Sequence, residues 1–115
     1  MSTNAEIVVE SRDGVVIARL DGEVDMTNST YVAQELRQAV PNEARGLVLD
    51  LEETRYLDSA AIEVLFDLAR RLGRRRQWLR LVLPSESPLR RVLTLTDVGS
   101  VAPVSDTLDA ALAGR

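Results

Sequence analysis

The chain has 115 residues and a formal charge of −4, with no cysteine, histidine or lysine, so its 14 basic residues are all arginine. One domain of this length buries about two thirds of the surface its unfolded chain exposes without help from a metal or disulfide, and the missing residue types exclude disulfides, thiolate and imidazole chemistry, Schiff-base lysines and the commonest metal ligands. The acidic balance argues against nucleic acid as a direct partner; a polar start and apolar runs too short for a bilayer predict a cytoplasmic chain with no membrane insertion.

Residues 6–10 and 14–20 are β-branched runs separated by Ser11, Arg12, Asp13 and Gly14, and Asp-Gly between such runs signals an antiparallel hairpin. Residues 25–29 then offer several N-caps. Tyr31, Val32, Leu36 and Val40 recur at helical spacing, which predicts a first helix over residues 29–39 that is stopped by Pro41 and Asn42. The apolar run 46–51, bounded by Gly46 and the polar loop 52–55, reads as a buried strand.

A second helix follows from Ser59 to about Leu72, capped by Asp58 or Ser59 and ended by Gly73. Its apolar stripe of Ala61, Leu65, Leu68 and Leu72, widened by Ile62, Phe66 and Ala69, implies burial against a sheet. Residues 78–83 form the next strand, before Pro84. Ser85 and Ser87 offer caps for a helix carrying Leu89, Val92, Leu93 and Leu95 that ends near Gly99. Val101 and Val104 make a last short strand, and Ser105 or Asp106 caps a final helix of Leu108, Ala110, Ala111 and Leu112.

Strands alternating with helices require parallel pairing through crossovers. The prediction is a single α/β domain over residues 1–115. Its sheet is mixed but mostly parallel, with about five strands, an antiparallel first strand and about four helices.

Two blocks carry a resemblance. In the first, Leu20-Asp21-Gly22-Glu23-Val24-Asp25 ends the second strand. In the other, the strand ending Asp50-Leu51 leads through a short loop and Tyr56-Leu57 to Asp58-Ser59 at a helix start. In this order and spacing they resemble the STAS domain of bacterial anti-sigma factor antagonists. The resemblance implies a phosphorylation-switched binding module, not an enzyme, with no cofactor or metal. The unphosphorylated domain would sequester a serine kinase anti-sigma factor and so free a sigma factor for transcription. That kinase would use ATP to phosphorylate Ser59, and a phosphatase would reset it.

The implied contact surface comprises Gly22, Asp25, Asp58, Ala60, Ala61, Ile62 and Glu63, with Asp67 at its rim. Where the family usually continues Asp-Ser with Ser or Thr and then Gly, this chain has Ala60 and Ala61, so Ser59 is the one acceptor within the motif. Read from the residues alone, Asp58 and Ser59 are also ordinary N-caps, and Asp25 is equally a cap for the first helix. An altered motif leaves room for an alternative, a STAS accessory subunit of a membrane lipid or anion transport complex that binds without phosphorylation. A small hydrolase or metal-dependent enzyme built on Asp25 and Asp58 is the weaker competitor, since no histidine or third ligand accompanies them.

The arginines at 70, 71, 74, 75, 76 and 80 form the other irregularity. Arg70 and Arg71 suit the negative end of the second helix, with Asp67 four residues before Arg71, while an anionic partner surface or acidic lipid headgroups are the functional alternatives. Arg90 and Arg91 read as the exposed face of the third helix.

Overall fold

A computed structural model describes residues 4–114. Strands β1 (Ala5–Arg12) and β2 (Val15–Val24) form the antiparallel hairpin, in register from Arg12 opposite Val15 to Ala5 opposite Gly22. Asp13 (φ 53°) and Gly14 (φ 80°) take the paired left-handed conformations that a two-residue hairpin turn demands. Helix α1 (Ser29–Ala39) leads to β3 (Gly46–Asp50), which pairs parallel with β2. Helix α2 (Ser59–Arg74) leads to β5 (Trp78–Val82), parallel to β3, and α3 (Leu89–Thr96) leads through a single 3-10 turn to β6 (Val104–Ser105), parallel to β5. Helix α4 (Leu108–Leu112) closes the described chain.

A sixth strand, β4 (Thr54–Leu57), lies where the sequence suggests only loop. The first half of β2 pairs with β3 and its last residues pair with β4, giving the order β1-β2-β3-β5-β6 with β4 beside β2. Its burial pattern is buried, exposed, exposed, buried, because the register shifts at Gly22/Glu23, so no period of two marks it. Thr54 anchors it by donating its hydroxyl to the Leu20 carbonyl at 2.6 Å.

The sheet separates two apolar clusters. Even-numbered residues of β2 and odd-numbered residues of β3 and β5 (Val16, Ala18, Leu20; Leu47, Leu49; Leu79, Leu81) pack under Val32 and Leu36 of α1, Ala61, Leu65, Leu68 and Leu72 of α2, and Leu89 and Leu93 of α3. On the opposite face Val15, Ile17, Val48 and Val82 meet Ala111, with Trp78, Leu108 and Leu112 at the margin. Burial on both faces is why β3 reads as an unbroken apolar run.

Several sequence expectations shift. Gly73 does not end α2. The helix runs on to Arg74, and Arg76 takes the left-handed position (φ 60°) while Gln77 N–H bonds the Leu72 carbonyl and Arg76 N–H bonds the Gly73 carbonyl, a Schellman closure built on arginine. Thr107, not Ser105 or Asp106, caps α4 by accepting from Ala110 N–H at 3.1 Å, because Ser105 belongs to β6. Val101 lies outside the last strand. Arg90 is half-buried and donates to the Leu83 carbonyl and to Asp106, so only Arg91 fits an exposed face.

Candidate functional site

The carboxyl end of β2, the turn into α1, the end of β4 and the start of α2 meet at one edge of the sheet. Asp58 is the hinge of that meeting. Its backbone N–H donates to the Val24 carbonyl at 3.2 Å, which sets the end of β4 beside the end of β2. One carboxylate oxygen, Oδ1, caps α2 by accepting from Ala61 N–H at 3.0 Å; the other, Oδ2, accepts from Met26 N–H at 3.0 Å. A single side chain therefore clamps the helix start to the β2–α1 turn, using both acceptors of an ionised carboxylate.

Ser59 is the first residue of α2, exposed, and its hydroxyl makes no hydrogen bond among the described residues. It stands where a helix leaves backbone N–H groups unpaired and presents the positive end of its dipole. Aspartate is preferred just before it because its extended backbone (φ −94°, ψ −172°) and short carboxylate suit an N-cap.

Asp25 lies on the same edge but does not cap α1 through its side chain. Its Oδ1 accepts from Thr27 N–H at 2.9 Å and from the Thr27 hydroxyl at 2.5 Å. The hydroxyl bond first, and the backbone bond next, hold its carboxyl below the ordinary aspartate pKa. Asn28, nearly buried, finishes the turn: Oδ1 accepts from Asp25 N–H at 3.0 Å and Nδ2 donates to the Glu23 carbonyl at 2.9 Å. Asp25 and Asp58 are thus linked through Met26, Asp58 with both carboxylate oxygens engaged and Asp25 with Oδ1 engaged. Among the described residues no group of three carboxylates gathers to hold a metal ion.

Of the residues placed on the contact surface, Ser59 and Glu63 are exposed, and Asp25, Asp58 and Ala60 half-buried. Ala61 and Ile62 are not surface residues: at 2% and 6% exposure they belong to the core beneath α2, as the helical stripe requires. Gly22 is buried as well. At φ 119° it packs so closely under the start of β1 that a Cβ would meet the Asn4 carbonyl oxygen at 1.9 Å, so its role is to let the hairpin and the bulge coexist. Asp67 lies farther along α2 and pairs with Arg70, not Arg71.

Sequence reasoning missed Met26 and Tyr56. Met26 is 78% exposed in the turn after β2 and Tyr56 is 49% exposed on β4, two residues before Asp58. The available signal was a methionine in an otherwise polar turn, off any helical or strand period.

Comparison with known proteins gives the family and the fold. The family model for the STAS domain matches residues 6–111. BtrV of Bordetella bronchiseptica, named as a candidate anti-sigma factor antagonist, is 32% identical over 109 residues, covering 94% of this chain and 92% of that protein. The anti-sigma F factor antagonist of Paenibacillus polymyxa is 25% identical over 104 residues, 90% of this chain and 88% of that protein. Among solved structures, an anti-sigma factor antagonist from Mycobacterium paratuberculosis superposes with a TM-score of 0.84 at 28% identity, over 96% of this chain and 92% of that one. With the family model spanning nearly the whole described chain, this protein belongs to the STAS domain family.

Proposed function

We propose that this chain is an anti-sigma factor antagonist whose binding is switched by phosphorylation of Ser59. In its unmodified form it holds a serine kinase anti-sigma factor in the cytoplasm and frees the sigma factor that the kinase would otherwise retain. The observation that carries the reading is an exposed serine with an unengaged hydroxyl at the first position of a helix, next to a carboxylate already fixed in the frame.

Phosphoryl transfer from ATP bound to the kinase joins the γ-phosphorus to Ser59 Oγ, with ADP leaving and the hydroxyl proton passing to a base on the kinase. The product places about one and a half to two further negative charges and three acceptor oxygens beside Asp58. The helix start tolerates that charge, since its free N–H groups and dipole favour an anion. The fold therefore persists while the surface reverses its character. A partner that docks Met26 and Tyr56 must now bury a dianion or withdraw, and an unpaired buried charge costs more than such a contact returns. A phosphatase acting on phospho-Ser59 restores the binding state.

The test is to incubate the purified chain with a serine kinase anti-sigma factor and ATP and to measure intact mass, the modified peptide and complex formation. A single phosphate on Ser59, its absence in Ser59→Ala and loss of the complex on modification are expected. Ser59→Asp should fold with near-native stability and bind at least tenfold more weakly. Tight binding by both Ser59→Asp and the ATP-treated protein would remove the switch, and failure to bind any such kinase would remove the function.

A further inference from the structure

A cleft of about 270 Å³ lies between α1 and α2, running from the middle of each helix toward its last turn. It is lined by Ala33, Val64 and Leu68, by the four arginines Arg37, Arg70, Arg71 and Arg74, and by one acidic residue, Asp67. A neighbouring cavity shares Arg37, Arg71 and Arg74 and adds Arg75.

The local charges do not cancel. Asp67 is taken up by Arg70, and Arg75 donates to the Val40 carbonyl and to Asn42. Arg37, Arg71 and Arg74 have no ion-pair partner among the described residues. Arg37 lies in the last turn of α1, and Arg71 and Arg74 in the last turn of α2. Each helix end offers about half an elementary negative charge, so the two together offset about one of the three. These three arginines are exposed, so water holds their charge, and the surplus positive charge around one cleft raises the local concentration of anions.

We propose that this cleft binds the diphosphate group of a small soluble molecule. Guanidinium forks arriving from two helices match phosphate oxygens in bidentate pairs, and a cavity of about 270 Å³ suits a compact anion better than an extended chain. Along α2 the lining runs from about 8 Å (Val64) to about 22 Å (Arg74) from Ser59, with the arginines in its farther half. A ligand there and a kinase at the switch edge can therefore be held together, independently of whether Ser59 is modified.

Pyrophosphate is the first probe, titrated into labelled protein at physiological salt while the amides of Ala33, Arg37, Leu68 and Arg71 and the arginine Nε groups are followed by NMR. Saturable shifts confined to these groups, with a dissociation constant of about 1 mM or tighter, are expected. The double substitution Arg71→Gln, Arg74→Gln should weaken binding at least tenfold with its melting temperature retained, whereas Arg91→Gln on α3 should leave it unchanged. ADP as a second probe separates the sources: equal affinity assigns a free diphosphate, and tighter binding assigns a nucleotide resting on Ala33, Val64 and Leu68. Absence of saturable shifts, equal loss in the Arg91→Gln control, or displacement of pyrophosphate by an acidic peptide or anionic vesicles at lower concentration would overturn the proposal.

Discussion

Gly22 and Asp58 show how a residue's identity can follow from the fold alone. Both lie in the blocks that carry the family resemblance, yet neither needs a partner to account for its identity. Gly22 adopts φ 119° with the Asn4 carbonyl oxygen 1.9 Å from where a Cβ would stand, and Glu23 N–H bonds that same carbonyl at 3.0 Å. Gly22→Ala therefore meets backbone, which cannot swing aside, in a conformation that L-residues rarely adopt. The substitution should destabilise the domain by at least ~2 kcal/mol in chemical denaturation, well above an ordinary surface change. Binding should fall only in proportion to unfolding; loss of kinase binding at native stability would restore Gly22 to the contact surface. Asp58, Ser59 and the edge they occupy were legible from the sequence because an N-cap has a chemical signature. Burial of Ala61 and Ile62 was legible too, from their place on the apolar stripe of α2, and it outweighs their adjacency to Ser59 in the chain.

At the scale of the element, periodicity located α1, α2, β3 and β5 because each buries a face with a regular repeat, and it failed wherever the backbone departs from regularity. Strand β4 was hidden by the register shift opposite Gly22/Glu23, and Met26 by lying in a turn. The end of α2 was misread for a different reason. Glycine is the usual left-handed closing residue, but here Gly73 lies inside the helix with open space around it, and Arg76 takes the left-handed position. The chain closes there because Gln77, nearly buried, donates its Nε2 to the Pro41 and Ala44 carbonyls, each at 2.9 Å, and fixes where the turn must fall. Gly73→Ala should accordingly stabilise the domain by ~0.5–1 kcal/mol by removing a flexible residue from a helix, and Arg76→Gly should stabilise it by about 1 kcal/mol by relieving a strained backbone. Thermal or urea denaturation decides. Destabilisation by Gly73→Ala would put the helix end back at that glycine.

Across the whole molecule, the absence of histidine, cysteine and lysine governs how stability responds to pH. No side chain has an ordinary pKa between those of glutamate and tyrosine, so stability should be flat from about pH 6 to 9, where a histidine-bearing domain would slope. The acid limb is shaped by two groups of opposite sign. Asp25 is held below its ordinary pKa by the Thr27 hydroxyl and N–H, so it adds stability above its unfolded value and loses it as pH falls through the lower folded one. Glu52 is pushed up, first by the charge of Asp50 and then by burial. Asp50 is nearly buried at the end of β3, accepts from Glu52 N–H at 3.0 Å and has Arg19 at 3.7 Å on its outer side, so its field falls on Glu52. A raised acid works against folding once it ionises: acidification through the folded pKa of Glu52 should restore a little stability before protonation of Asp25 withdraws some at lower pH. Glu52→Gln isolates the effect. The amide keeps the shape and removes the repulsion, so the variant should exceed the parent by up to ~0.5 kcal/mol at pH 7, as suits an exposed position, and converge with it at pH 3, where the parent's Glu52 is protonated. Urea denaturation at both pH values checks this, and an equal gain at pH 3 would show that packing, not the Asp50 charge, sets the difference.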